Sequence, residues 1–232
     1  MADTIKPANI IAPSGTISHK TTVHTLSQGL IIDQLKVVLD GYPLHYDLAL
    51  APYECLAIQG KSGVGKSTLL HTLAGFETAK SGQAFWQGQD LLALPAHKRP
   101  ISMLFQEHNL FEHLSVLANL RLGFQSQPDI RLIQQAAEAL DIADQLSKQP
   151  TELSGGQRQR IGLIRTLLRP EPLILLDEPF AELDQDTRRK AARWTADIAR
   201  KNSKTLILVT HQDEDAELIA DRTLQLKASA EQ

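Results

Sequence analysis

The order of apolar and polar positions changes its period several times along the chain. From Leu30 to Leu39 the residues LIIDQLKVVL read as a strand, and LHYDLAL, residues 44–50, reads as its partner. Asp40–Gly41 lies between them, and Asp-Gly between two such runs is a hairpin signal. The short apolar run ECLAIQG, residues 54–60, leads into a glycine-rich turn. Helical spacing follows over residues 67–74, with Gly75 placed to end it. GQAFWQG and ISMLF are further strand candidates. Between Leu114 and Gln149 strands stop, and SVLANLRLGF and IRLIQQAAEALDIADQL repeat apolar residues at helical spacing. PLILLDEP restores a strand, followed by a helix over residues 187–201, the strand KTLILVT, the helix DEDAELIA and a last strand, RTLQLK. Strands alternating with helices predict an α/β fold, a mostly parallel sheet with helices on both faces and a helical insertion in its middle.

Residues 1–29, which include Pro7, Pro13 and Gly15 and show no sustained period, read as an N-terminal extension, partly disordered. Residues 30–232 read as one domain, with the helical portion over about 107–158 inserted in the core. The length of 232 residues accommodates such a domain. Composition is that of an ordinary globular chain, 42% hydrophobic and 22% charged. A formal net charge of −3 gives no electrostatic footprint for nucleic acid. Cys55 is the sole cysteine, so no internal disulfide can form, which fits a reducing compartment. No apolar run approaches the roughly 18 residues of a membrane span, and the start lacks the pattern of a signal peptide. These features predict a cytosolic chain that reaches a membrane only by binding a partner.

Gly60-Lys61-Ser62-Gly63-Val64-Gly65-Lys66-Ser67 fits the phosphate-binding pattern G-x-x-x-x-G-K-[ST] at every fixed position. Glycines let backbone N–H groups turn inward and approach phosphate oxygens, and the helix that starts there adds a positive dipole end. Lys66 can reach the β- and γ-phosphates, Ser67 can offer its hydroxyl to Mg²⁺, and Thr68 can reach an α-phosphate. LILLDEP, residues 173–179, is an apolar strand ending in two acids. Ligands of open α/β sheets bind at the carboxyl ends of strands, so Asp177 is aimed at the same edge, where it can hold the metal's water shell. Glu178, next along, can take the proton from an attacking water.

A second glycine-bearing turn, Leu153-Ser154-Gly155-Gly156-Gln157, opens another helix. Serine at the N-cap with glutamine three residues later is a capping box, but capping needs no glycine pair. A phosphate close to the helix's first turn does. No lysine follows this turn and no acid-ended strand precedes it, so it can touch a γ-phosphate without holding a nucleotide. The expected resolution is a second copy of the chain. Two chains arranged head to tail would bury two ATP molecules, each between one chain's lysine loop and the other's LSGGQ.

LSGGQ, the GKSGVGKS loop and LLDEP together resemble the ATPase subunits of ABC transporters over about residues 34–227. The resemblance implies a P-loop, RecA-like core with an N-terminal antiparallel strand region and an inserted helical subdomain. It implies ATP and Mg²⁺ as ligands, an ATP-dependent homodimer, and attachment to integral membrane subunits. It also implies that Gln106 touches Mg²⁺ and the attacking water, that Asp184 lies in a loop crossing the dimer interface, and that His211 hydrogen-bonds the γ-phosphate. The stretch RPISMLFQEHNLFEHLSVLANLRLG, residues 99–123, is similar to the branch of this family that serves bacterial thiamine importers. That branch implies a chain peripheral to the cytoplasmic face of the inner membrane, served indirectly by a periplasmic solute-binding protein. In such importers the Gln106 region forms a groove for a short helix of the membrane subunit, and Phe105, Leu110, Phe111 and Leu114 are its candidates here. Another importer, an exporter, or a soluble ATPase of cluster assembly remain as alternatives.

Three departures from the family pattern stand out. The aromatic that commonly stacks on adenine falls at Leu39 in register, with Tyr42 the nearby substitute. FAELD carries Ala181 and Glu182 where Ser-Ala is common, so that loop gains a charge. The sequence stops soon after the last strand, so the C-terminal regulatory domain of some importer ATPases is not expected. Arg158, Arg160, Arg165 and Arg169 read as a solvated basic face with charge favourably near the helix's C-terminus, and Trp86 and Trp194 as packing residues.

Overall fold

The structure, a computed structural model, describes residues 8–9, 29–107, 109–124 and 129–228. Two sheets lie at its centre. The first takes β1 (Ala8–Asn9), β2 (Leu30–Leu39), β3 (Tyr42–Leu50), β5 (Ala79–Trp86), β6 (Gln89–Asp90) and β11 (Lys227–Ala228) in the order β11-β1-β3-β2-β5-β6. The second is wholly parallel, in the order β10-β4-β9-β8-β7. Its members are β4 (Cys55–Gln59), β7 (Ile101–Leu104), β8 (Leu173–Asp177), β9 (Thr205–Val209) and β10 (Arg222–Gln225).

The hairpin of β2 and β3 is as the sequence requires. Leu39 pairs with Tyr42 across a two-residue turn, and Asp40 and Gly41 have φ of 50° and 85°. Positive φ at both central positions is the type I′ geometry that matches strand twist, and Asp-Gly is suited to it. The second strand begins at Tyr42, two residues before the apolar pattern does, because the turn admits no spare residue.

Strands β8 and β9 are fully buried. In β8, Leu173 and Leu175 join the core beneath the first sheet, while Ile174 and Leu176 join a second core on the opposite face. This period-two division explains why the strands read as unbroken apolar runs: both faces are covered. Complete burial of each such side chain contributes about 1.5–3 kcal/mol. The first core is completed by α1 (Lys66–Ala74). The second is completed by α4 (Gly155–Leu167), α5 (Gln185–Lys201), α6 (Asp213–Ile219) and residues of α2 (Val116–Arg121) and α3 (Ile130–Ala139). Among the described residues no strand lies between Leu104 and Leu173. Trp86 is buried in the first core, and Trp194 packs against the second.

The final segment differs from the sequence expectation. RTLQLK reads as one strand, yet its first four residues pair with β4 and its last lies in the other sheet. The crossing is made at Leu226, buried, with its N–H donating to Gln59 O at 2.7 Å. Alternation of side chains runs straight through the crossing, so the pattern carries no sign of it. In the N-terminal extension, Ala8–Asn9 inserts between β3 and β11. The disorder expected for the rest of the extension falls outside the described residues. No helix among them is long and apolar enough to cross a membrane.

Candidate active site

The carboxyl ends of β4, β8 and β9 share one edge of the parallel sheet, and the chain leaves each of them into a candidate functional loop. From β4 it enters Gly60–Gly65 and then α1. Gly65 is the N-cap of α1, with φ of 100°. A Cβ there would lie 2.7 Å from the Tyr46 hydroxyl and 2.9 Å from Leu44 Cδ1, so both backbone angle and space require glycine. Tyr46 is fully buried, and its hydroxyl donates to Gly65 O at 2.8 Å. Sequence reading did not find Tyr46, since its partner is 19 residues away on another element. Val64 sends its side chain into the first core and offers the loop only its backbone.

Lys66 is 5% exposed, and its ammonium donates to the carbonyls of Gly60 at 2.9 Å and Lys61 at 3.0 Å. An ammonium has three donors, so these two carbonyls leave one over. Burial holds its pKa below the ordinary lysine value, while Glu178 and Asp177 pull it upward. Asp177 ends β8, is 1% exposed and hydrogen-bonds the Ser67 side chain. Its Oδ1 is buried with no hydrogen-bond partner. Burial pushes its pKa up against the opposing pull of that Ser67 bond. A buried carboxylate oxygen without a donor is costly unless a ligand or cation completes it.

Glu178 follows with φ of 47°, a left-handed conformation that costs a non-glycine residue about 1–2 kcal/mol. This bend turns the carboxylate to His211, whose Nε2 is 2.8 Å from Glu178 Oε1. A cavity of about 220 Å³ is lined by Leu39, Asp40, Tyr42, Leu44, Ser62, Gly63, Gly65, Lys66, Ser67, Thr68, Gln106, Glu178 and His211. Residues from five separate parts of the chain thus converge on one concavity. Leu39 and Tyr42, facing partners across the hairpin turn, both line it.

Ser154, Gly155, Gly156 and Gln157 do not line that cavity, nor does Asp184. Ser154 caps α4 in a full capping box, its hydroxyl accepting from Gln157 N at 3.3 Å and its N–H donating to Gln157 Oε1 at 2.9 Å. Gly155 instead lines a separate, more polar concavity with Gln106, Gln159 and Glu182. A Cβ on Gly155 would lie 1.7 Å from Glu182 Oε2, and one on Gly156 would be 3.1 Å from Glu182 O. Gly156 therefore also has a packing cause within its own chain, against backbone, which the sequence argument from phosphate approach did not include, whereas at Gly155 the obstacle is the flexible end of an exposed side chain. Asp184 is the N-cap of α5, accepting from Thr187 N at 3.0 Å, and hydrogen bonds from the Thr187 backbone and side chain hold its pKa low.

The arginines after LSGGQ correct the expectation of a solvated face in part: Arg158 is exposed, while Arg160, Arg165 and Arg169 are half-buried. Arg158 donates to Leu153 O at 2.7 Å, Arg160 to Leu140 O at 2.7 Å, and Arg165 to Asn109 O at 2.9 Å. Arg165 also stacks on the Phe111 ring, 4.9 Å from its centroid, and Arg169 pairs with Glu171 at 2.7 Å. The first three are ties between α4 and the segments around it, while the Arg169–Glu171 pair is local, two residues apart and beyond the helix's end. Two asparagines do similar work nearby. Asn109 accepts from Phe105 N at 2.9 Å and donates back to Phe105 O at 2.6 Å, closing the loop that carries Gln106. Asn119 makes the same exchange with Phe111. Phe105, Leu110 and Phe111 line a further cavity of about 490 Å³ with Phe76 and Met103, while Leu114 does not reach it.

A phosphate loop whose lysine is caged at a sheet edge, beside a buried acid bonded to the loop's serine and a second acid turned toward a histidine, defines a P-loop nucleotide hydrolase. A sequence profile described as "ABC transporter" matches residues 45–181. The chain belongs to the ABC transporter family and is an ATPase of it. It is 43% identical over 202 residues to the thiamine import ATP-binding protein of Histophilus somni (strain 129Pt), covering 84% of this chain and 94% of that protein. It is 42% identical over 187 residues to the protein of the same description from Escherichia coli (strain K12), covering 78% of this chain and 81% of that one. Among solved structures, a dimeric ATP-binding cassette in a post-hydrolysis state, bound to ADP and Pi, superposes with a TM-score of 0.72 at 25% identity. It covers 86% of this chain and 94% of that one. A bacterial Atm1-family ABC exporter shares the fold, with a TM-score of 0.76 at 24% identity over 86% of this chain and 37% of that one.

Proposed function

We propose that this chain energises the import of thiamine or its phosphates, working as a head-to-tail dimer on the cytoplasmic face of a bacterial inner membrane. The observation that carries the solute assignment is the 43% identity to a thiamine import ATP-binding protein over nearly that protein's whole length. The cavity that joins Tyr42, the phosphate loop, Gln106, Glu178 and His211 supports the hydrolytic part.

The lysine loop Gly60–Ser67 and Thr68 hold the phosphates through inward N–H groups and the remaining Lys66 donor. Tyr42, or Leu39 beside it, covers the adenine. Ser67, Asp177 and Gln106 would hold Mg²⁺, and the orphaned buried Oδ1 of Asp177 fits that task. When bound, the ion neutralises phosphate charge as the terminal bond breaks. Glu178 accepts the proton of the attacking water, and His211 steadies both the Glu178 carboxylate and the γ-phosphate. Ser154, Gly155, Gly156 and Gln157 of the second chain meet that γ-phosphate from the other side, with Asp184 at the crossing between chains. The cavity lined by Phe76, Phe105, Leu110 and Phe111 receives a helix of the membrane permease subunit, and Arg165 forms its charged wall. The periplasmic solute-binding protein is reached only through that permease. No nucleic acid is involved.

Complementation tests the solute assignment. In a bacterium whose own thiamine-importer ATPase is deleted, this chain should restore uptake of labelled thiamine when expressed with its neighbouring permease genes. Uptake of a different solute only, or co-purification with cluster-assembly proteins in place of a permease, would remove the assignment. The dimer has its own test in Ser154→Arg. ATP affinity of the isolated chain should stay within about twofold while hydrolysis falls at least 100-fold, because the arginine blocks the partner's γ-phosphate. Loss of nucleotide affinity in the monomer would place this turn in its own chain's site.

A further inference from the structure

Gln159, in the second turn of α4, spans the loop between β8 and α5 with both ends of its amide. Its Nε2 donates to Glu178 O at 3.1 Å, and its Oε1 accepts from Glu182 N at 2.8 Å. The backbone it holds needs holding. Glu178 sits at φ 47°, a sparsely populated angle for a side chain of its size, which persists only where the surroundings fix it. On its amino side that residue is pinned by its own N–H to Val209 O at 3.0 Å. On its carbonyl side the partners are Gln159 and Ala181 N, the latter at 3.3 Å within the loop itself. Gln159 is therefore the tie that comes to this carbonyl from another element.

We propose that Gln159 is a positioning residue for hydrolysis. It fixes the backbone of Glu178 and the start of the 182–184 loop from within the same chain, so that the placement of α4 sets the aim of the base. This gives the helix that follows LSGGQ a task toward its own chain's nucleotide, in addition to the contact its first turn makes across the dimer. The inference rests on the reading of Glu178 as the base. No proton or bond changes at Gln159.

The test compares Gln159→Met, which keeps length and removes both hydrogen bonds, with Glu178→Gln and the double variant. For Gln159→Met, kcat for ATP should fall about tenfold with KM changed less than twofold, because nucleotide contacts are untouched while the base is misaimed. Added to Glu178→Gln, the same change should cost less than about twofold further, since a residue acting through the base loses its effect when the base is gone. A kcat near that of the unaltered chain, a matching rise in KM, or a full tenfold loss on top of Glu178→Gln would each overturn the proposal. If Glu178→Gln itself hydrolyses ATP normally, the base reading fails, and that outcome is distinct from a silent Gln159→Met beside an inactive Glu178→Gln. Should the methionine variant not fold, Gln159→Glu decides the question. It retains the acceptor for Glu182 N but not the donor to Glu178 O, and must show the same fall in kcat at unchanged KM.

Discussion

Glu178→Gln is expected to slow ATP hydrolysis by roughly two to four orders of magnitude while ATP still binds. Glutamine keeps the size of the side chain and can keep a contact to His211, which lies 2.8 Å from the carboxylate. It cannot accept a proton from water. The groups proposed to grip the phosphates, Lys66 and the N–H groups of its loop, are unaltered, as is Asp177. The expected product is a stable pair of chains closed around unhydrolysed ATP. Size-exclusion chromatography with ATP in the absence of Mg²⁺ should show a dimer, and without nucleotide a monomer. Hydrolysis near the normal rate would remove Glu178 from the mechanism. An inactive variant that never dimerises with ATP would leave the base in place and count against the head-to-tail arrangement.

The second large effect belongs to Lys66→Ala, which should weaken ATP binding by roughly 10- to 150-fold, measured by equilibrium titration with a fluorescent ATP analogue. A charged hydrogen bond contributes about 1.5–3 kcal/mol, and loss of the one donor proposed for the phosphate gives a change of that order. The fold should survive. The Lys66 ammonium bonds two carbonyls of its own loop, but it is also a charge held in a buried place, and its removal relieves the desolvation that depresses its pKa. Circular dichroism should show an unchanged spectrum and a modest shift of the melting midpoint. Normal ATP affinity would overturn the cradle assignment, and a chain that no longer folds would make Lys66 a structural residue first.

What could be read in advance divides by the range of the interaction. The Asp40–Gly41 hairpin, the strand–loop–helix at Gly60–Ser67 and the capping box at Ser154 are local, set by residues a few positions apart, and each has a signature. The sheet's parallel order followed from the alternation of elements. By contrast, Tyr46 bonding Gly65, the asparagine clasps at Phe105 and Phe111, and the arginine ties of α4 depend on which segments meet in space. A lone Tyr, Asn or Arg carries no mark of such a partner. Leu226 shows the same limit in another form, because its crossing between sheets leaves side-chain alternation undisturbed. Gln159 was hidden by its neighbours: LSGGQ accounted for the stretch so readily that the glutamine two positions on received no separate role.

The two glycines of LSGGQ differ in how much freedom their neighbours leave them. What a Cβ at 155 would meet is the far end of an exposed glutamate, 1.7 Å away, and that carboxylate can swing aside into solvent. At 156 the obstacle is the backbone carbonyl of the same residue, 3.1 Å away, in a loop that Gln159 ties to α4 through Glu182 N. As far as packing within one chain decides, position 155 can accept a small side chain at the cost of one rotamer change, while position 156 can do so only if the loop itself yields.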